Sequence, residues 1–151
     1  MNEEILKLNN QLCFRLYAVS RSMTRIYKPL LDKFDLTYPQ YIIMLVLFEH
    51  KEIDFKKLSD TVELRTGTLT PIIDKLEEKN LIKKSINDQD GRKVNISITT
   101  KGLQLEKDVI EVPLAMATNL EITEDMYNIL VKELDDLSDI LKNAKVIQDK
   151  K

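Results

Sequence analysis

Cysteine occurs once in the chain, at Cys13, and histidine once, at His50. A thiolate can attack a peroxide oxygen or bind a soft metal, whereas a neutral thiol packs as a small hydrophobe. Cys13 lies between Leu12 and Phe14 on an apolar stripe, with Tyr17 one turn further on, and these residues alone leave both readings open. One sulfur cannot form an intrachain disulfide, and that usage fits a reducing compartment. Metal control is disfavoured, because Cys13 and His50 are far apart and no ligand pair stands at i, i+3 or i, i+4 spacing. His50 reads as a loop residue after a helix. The pairs Glu77-Glu78 and Asp135-Asp136 do not face one another on a helix, so they are solvated surface rather than acid–base machinery. No glycine-rich phosphate loop occurs, and no cofactor is expected.

A second set of residues suits a polyanion. Arg65, Thr66, Thr68 and Thr70 place a guanidinium, hydroxyls and backbone N–H groups at the start of a helix, a combination that contacts phosphates and reads base edges. Lys75 lies further along the same segment. Lys83, Lys84, Arg92 and Lys93 add positive charge on a hairpin, with Arg92 at a tip long enough to reach an adjacent minor groove. The bland reading is a set of helix caps beside a solvated basic loop. Net charge does not help, since 23 basic against 25 acidic residues leave −2, so DNA binding would rest on this local patch.

The elements that carry these groups follow from periodicity. Ile5, Leu8, Leu12, Leu16, Val19, Met23, Ile26 and Leu30 recur at steps of three and four, which predicts one amphipathic helix to about Lys33. Asp35-Leu36 breaks it. Thr37 and Gln40 have capping-box spacing around Pro39 and open a nearly all-apolar helix to about Glu49, the natural centre of a core. Asp54 caps a short helix with Phe55, Leu58 and Val62 inward. After the connection 63–65, Pro71 fixes the start of the next helix between Thr66 and Thr70, and Asn80 ends it. The period then becomes two over residues 81–86 and 94–98, two strands joined by a polar loop with Gly91. Thr99 or Thr100 caps a helix to about Ala117. Thr123 caps a last one, whose Met126, Leu130, Leu134, Leu137, Leu141 and Ala144 approach a heptad seam.

Two short helices followed by a basic hairpin is the order of a winged helix-turn-helix. The fold class expected is mainly α with a small β-hairpin wing. Residues 35–99 would form the DNA-reading part, and 1–34 with 100–151 a helical dimerisation region of one overall domain. The surplus apolar stripes of residues 5–26 and 126–147 fit an intertwined homodimer; packing of the two ends within a monomer is the alternative. A dimer sets two reading heads about 34 Å apart and implies an inverted-repeat operator.

Composition limits the remaining classes. A chain of 151 residues with 43% hydrophobic and 32% charged residues is about one globular domain. Three Gly, four Pro and no Trp favour helix over loop-rich folds. The longest apolar run, Ile42 to Phe48, is far short of the roughly 18 residues that span a bilayer. The first residues also lack the basic-then-apolar order of a secretory signal, so a cytoplasmic protein is expected.

Four segments carry a resemblance: Asn10 to Phe14, Tyr27 to Lys33, Thr37 to Tyr41, and Gly67-Thr68-Leu69-Thr70-Pro71. Together they resemble the MarR family of winged-helix repressors, and more narrowly its one-cysteine organic-hydroperoxide sensors. The likeness extends over nearly the whole chain. It implies that Cys13 is the peroxide-reactive thiol, held by hydroxyls of Tyr27 and Tyr38 contributed across the dimer, with Tyr17 nearby. It also implies a sulfenic acid product that a small cellular thiol resolves, and a repressor that then leaves its DNA. Two positions depart from the pattern. Arg65 and Thr66 replace an acidic residue and Ser, and Gly91 stands between Asp90 and Arg92 where a bulkier residue is usual. A repressor released by a small phenolic ligand, with Cys13 structural, is the nearest rival. A thiol peroxidase lacks a resolving cysteine and a strand-rich pattern, so no enzyme is expected.

Overall fold

The computed structural model describes residues 2–86 and 91–144, and these fall into two compact units that divide between Met116 and Ala117. The helix expected from Ile5 to Lys33 is interrupted. A short α1 (Asn2–Ile5) and a 3-10 turn (Leu8–Asn10) precede α2 (Leu12–Asp32). Side chains compete with the backbone there: the Asn10 amide donates to the Glu4 carbonyl at 2.8 Å, and the Gln11 amide donates to the Ile5 carbonyl. Carbonyls satisfied in this way no longer need helical N–H partners.

Asp35, in the left-handed region at φ 52°, turns the chain after α2, and the Leu36 N–H closes the turn on the Leu31 carbonyl at 3.1 Å. Thr37 then starts α3 (Tyr38–His50) as expected. The Gln40 N–H donates to the Thr37 hydroxyl at 3.4 Å while the Thr37 N–H donates to Gln40 Oε1 at 3.0 Å, a closed capping box. Asp54 caps α4 (Phe55–Thr61) by accepting from the N–H groups of Lys56 and Lys57. Next comes α5 (Thr66–Glu78), which Asn80 ends in the left-handed region at φ 57°.

Strands β2 (Ile82–Ile86) and β3 (Val94–Ile98) pair antiparallel from Ile82↔Ile98 to Ile86↔Val94. A further strand, β1 (Glu52–Asp54), lies on the other side of β3 with Ile53 opposite Ile96. Three residues are too few to show a period, so only pairing with β3 reveals it. The helix expected from Thr99 to Ala117 is two, α6 (Thr100–Val109) and α7 (Glu111–Asn119). Pro113 lacks an N–H and its ring would collide with the Val109 carbonyl in a continuous helix, so it sits in the first turn of α7 instead.

α3 occupies the centre of the first unit, with contacts to α2, α5, α6, β1 and β3. Tyr41, Ile43, Met44 and Leu47 of α3 pack with Leu58, Leu69, Ile73, Leu76 and Ile96 in one buried cluster. In the second unit Thr123 caps α8 (Glu124–Asn143), which exposes Met126, Leu130, Leu134 and Leu141. The end of that expected stripe, residues 145–147, lies outside the described residues. No helix among the described residues is long and apolar enough to cross a membrane.

Candidate functional site

Cys13 is exposed in the first turn of α2. Tyr17 stands one turn along the same helix, and its hydroxyl accepts from Arg21 Nη1 at 2.9 Å while the guanidinium lies 5.4 Å from its ring centre. Tyr27 is fourteen residues beyond Cys13 on that unbroken helix, about 21 Å along the axis. Within one protomer, therefore, the sulfur and Tyr27 do not meet. Tyr27 instead packs against Tyr38 at the start of α3, with ring centres 4.9 Å apart.

Tyr41 completes this aromatic group at 5.9 Å from Tyr27 and 6.4 Å from Tyr38. It is 3% exposed and was not among the residues singled out above. The available signal was its i, i+3 relation to Tyr38, which places both rings on one face of α3. Burial pushes the Tyr27 and Tyr41 phenols above their ordinary 10.0, and repulsion from neighbouring tyrosinates adds to this. Both remain neutral O–H donors at physiological pH. A cavity of about 210 Å³ opens beside Tyr38, lined also by Thr24, Lys28, Asp32, Leu36 and Thr37.

The second group gathers around α5. Arg65 is its N-cap residue and makes no side-chain cap hydrogen bond, while its carbonyl accepts from the Thr68 and Leu69 N–H groups at 2.9 Å. Thr66, Thr68 and Thr70 are exposed there, although the Thr70 hydroxyl donates back to the Thr66 carbonyl at 2.9 Å. A Cβ at Gly67 would meet no protein atom within 4 Å. Lys75 is exposed on the same helix, as are Lys83, Arg92 and Lys93 on the hairpin. Asp90 lies outside the described residues.

Lys84, expected to contact DNA, is engaged within the protein by two carboxylates. Its ammonium lies 2.7 Å from Asp74 Oδ1 and 2.9 Å from Glu77 Oε2, and its backbone N–H donates to Glu77 Oε1 at 2.8 Å. The side chain is thus committed to joining strand β2 to helix α5. The signal was available in the i, i+3 carboxylates of Asp74 and Glu77, but not their proximity to a strand ten residues on. Among the described residues no three of His, Cys, Asp and Glu gather to hold a metal.

Residues 25–109 match the family model described as transcriptional regulator SarA/Rot. The chain is 46% identical over 108 residues to the organic hydroperoxide resistance transcriptional regulator of Bacillus subtilis, covering 72% of this chain and 74% of that one. Among solved structures, reduced AbfR bound to DNA superposes with a TM-score of 0.81 at 30% identity, over 94% of this chain and 97% of that one. AbfR is a protein of Staphylococcus epidermidis. Its disulfide-formed state superposes with a TM-score of 0.64 at 31% identity, over 91% and 96% of the two chains. With the helix-turn-helix, the hairpin and the tyrosine group in place, this chain belongs to the SarA/Rot family of transcriptional regulators, within the MarR-type winged-helix fold.

Proposed function

We propose that this protein is a DNA-binding repressor that senses organic hydroperoxides through Cys13 and releases its operator when that thiol is oxidised. The observation that carries the reading is the separation of an exposed sole cysteine from a partly buried tyrosine group by about 21 Å of one helix. Sulfur and phenols come together only if a second copy brings its α2 alongside. The exposed apolar side chains of α2 and α8 supply surface for that pairing. Residues 1–34 and 100–151 then form the dimerisation region and 35–99 the reading head.

In the dimer the neutral hydroxyls of Tyr27 and Tyr38 donate to the partner's sulfur and favour the thiolate, with Tyr17 close by. The thiolate attacks the distal oxygen of a hydroperoxide. The O–O bond breaks, the alkoxide leaves and takes a proton to become an alcohol, and sulfur is oxidised by two electrons to the sulfenic acid. A small cellular thiol condenses with it, forming a mixed disulfide and water. The added bulk displaces the tyrosine group, and the two heads lose the spacing an inverted-repeat operator requires. The relative AbfR, solved both reduced on DNA and with a disulfide formed, supports cysteine oxidation as the trigger.

DNA is held by Arg65, Thr66, Thr68, Thr70 and Lys75 in the major groove and by Arg92 and Lys93 at the wing. Lys84 holds the wing to α5 instead. Nothing in the scheme requires turnover, so the protein is a regulator rather than an enzyme, and it works in the cytoplasm with its DNA.

The test is a gel shift on the inverted repeat upstream of its own gene, with wild type and Cys13→Ser, before and after organic hydroperoxide plus a small thiol. Loss of binding in the wild type only, matched by mass spectrometry to a modified Cys13, is expected. Retention of DNA by both proteins overturns the redox reading and favours release by a small ligand.

A further inference from the structure

The C-terminal end of α5 meets the turn that carries Tyr38. Lys79, the residue that ends α5, donates from Nζ to the Asp35 carbonyl and lies 3.1 Å from Asp35 Oδ2. The same ammonium is 3.5 Å from Gln40 Oε1. Gln40 is a buried polar side chain, 3% exposed, and its oxygen also accepts from the Thr37 N–H in the cap of α3. Tyr38 is the first residue of that helix. Thus one cation touches both sides of the two-residue connection between Asp35 and the helix on which Tyr38 sits.

Three further features single out this contact. Asp35 holds its turn in the left-handed region at φ 52°, which an aspartate adopts more readily than most side chains. The Lys79 side chain is 26% exposed and borders a cavity of about 330 Å³ with Phe34, Leu81 and Lys101, so it can let go without repacking the core. The backbone at the same point is tied to α6, since Lys101 Nζ donates to the Lys79 carbonyl at 2.9 Å and the Thr99 hydroxyl to the Asn80 carbonyl at 2.7 Å. The end of α5 is therefore held from two directions, and the Lys79 side chain joins it to the tyrosine-bearing turn.

We infer that Lys79 is the positioning residue that transmits displacement of Tyr38 to α5, so that oxidation at Cys13 reorients the reading head. This rests on the redox reading above. When the α2–α3 turn moves with Tyr38, the Asp35 and Gln40 oxygens move with it, and the ammonium must follow or release. An ammonium is a point donor that meets three oxygens at once, so following is the lower-energy response while they stay together. A methionine at this position fills similar space and makes none of these bonds.

The experiment measures operator affinity of the full-length dimer, reduced and oxidised, for wild type, Lys79→Met and Lys79→Arg, with Cys13 modification followed by mass spectrometry. In the reduced state Lys79→Met is expected to bind within about threefold of wild type, while the loss of affinity on oxidation shrinks about tenfold, within the usual range of coupling between sites. Lys79→Arg restores most of the loss, and all three proteins oxidise at the same rate. An equal loss in Lys79→Met and wild type overturns the inference and leaves the redox switch standing. A Lys79→Met protein that cannot bind DNA when reduced, or whose circular dichroism shows it unfolded, overturns it too, because the contact then holds α5 in every state. A wild type indifferent to oxidation removes the redox reading itself, and the inference with it.

Discussion

Replacing Lys84 with methionine separates two roles that one ammonium could play on a wing. The structure places it between Asp74 and Glu77 at 2.7 and 2.9 Å, with the three side chains 37%, 47% and 34% exposed. Pairs this exposed are worth about 0.2–1 kcal/mol each after solvent screening, so losing both costs about 1 kcal/mol. For a chain of this length that is a fall in melting temperature of about 3 °C. A phosphate contact has a different signature. Each one lost lowers the slope of log K against log salt by about 0.9, and two copies in a dimer make the change about 1.8. Anisotropy of a labelled operator between about 50 and about 200 mM salt is expected to show an unchanged slope for Lys84→Met and a reduced one for Lys93→Met. A shallower slope for Lys84→Met at wild-type stability would refute the brace.

The same contact has a pH signature. Glu77 is held below its ordinary 4.5, chiefly by the Lys84 backbone N–H and then by its side chain, and Lys84 is raised above its ordinary 10.5 by Asp74 and Glu77. A depressed carboxylate stabilises above its unfolded value and loses that contribution as pH falls through its folded one. A raised amine stabilises below its unfolded value and loses it as pH rises through its folded one. The stability gap between wild type and Lys84→Met is thus flat from about pH 5 to about pH 9 and narrows at both extremes. The backbone N–H bond survives in the variant, so only the side-chain share of the acid-side effect disappears.

Three other substitutions probe the remaining elements. Gly102→Ala puts a Cβ 2.3 Å from the Leu81 carbonyl oxygen and 2.6 Å from Ile98 Cγ1. It should cost about 3 kcal/mol in urea unfolding, and a wild-type midpoint would show that β2 and β3 give way freely. Gly67→Ala has open space and replaces a helical glycine, so it should stabilise by about 0.5–1 kcal/mol while weakening operator binding several-fold; unchanged affinity would mean that nothing approaches the start of α5 closely. Tyr38→Phe deletes one donor to the thiolate, a bond worth about 1.5–3 kcal/mol, so Cys13 should oxidise about tenfold more slowly by timed mass spectrometry. Oxidation at the wild-type rate would remove Tyr38 from the sensing group.

Much of this protein is local and therefore legible along the chain. The Thr37–Gln40 capping box, the Asp54 cap, the start of α5 at Thr66 and the left-handed Asn80 all depend on residues within a few positions of one another. Period-two alternation likewise marks β2 and β3, because side chains of a half-buried strand alternate whatever they pack against. The family likeness rests on similarly short strings, such as Gly67 to Pro71.

What escaped depends on residues brought together from a distance, or on competition between neighbours. Strand β1 exists because Ile53 finds Ile96 across forty-odd residues, and no pattern in three residues announces that. The break before α2 was decided by side-chain amides outbidding helical N–H groups, and the break at Ile110 by where Pro113 could be accommodated. Charge alone marks Lys84 as a phosphate ligand, and only tertiary packing shows the two carboxylates set against it. The sequence by itself determined which residues can do chemistry, a lone sulfur, three tyrosines and a basic wing, because residue type sets reactivity. Only the tertiary structure decided which of them meet. A rigid helix keeps Cys13 about 21 Å from Tyr27 in one protomer, and the fold brings Lys79 to the turn beneath Tyr38.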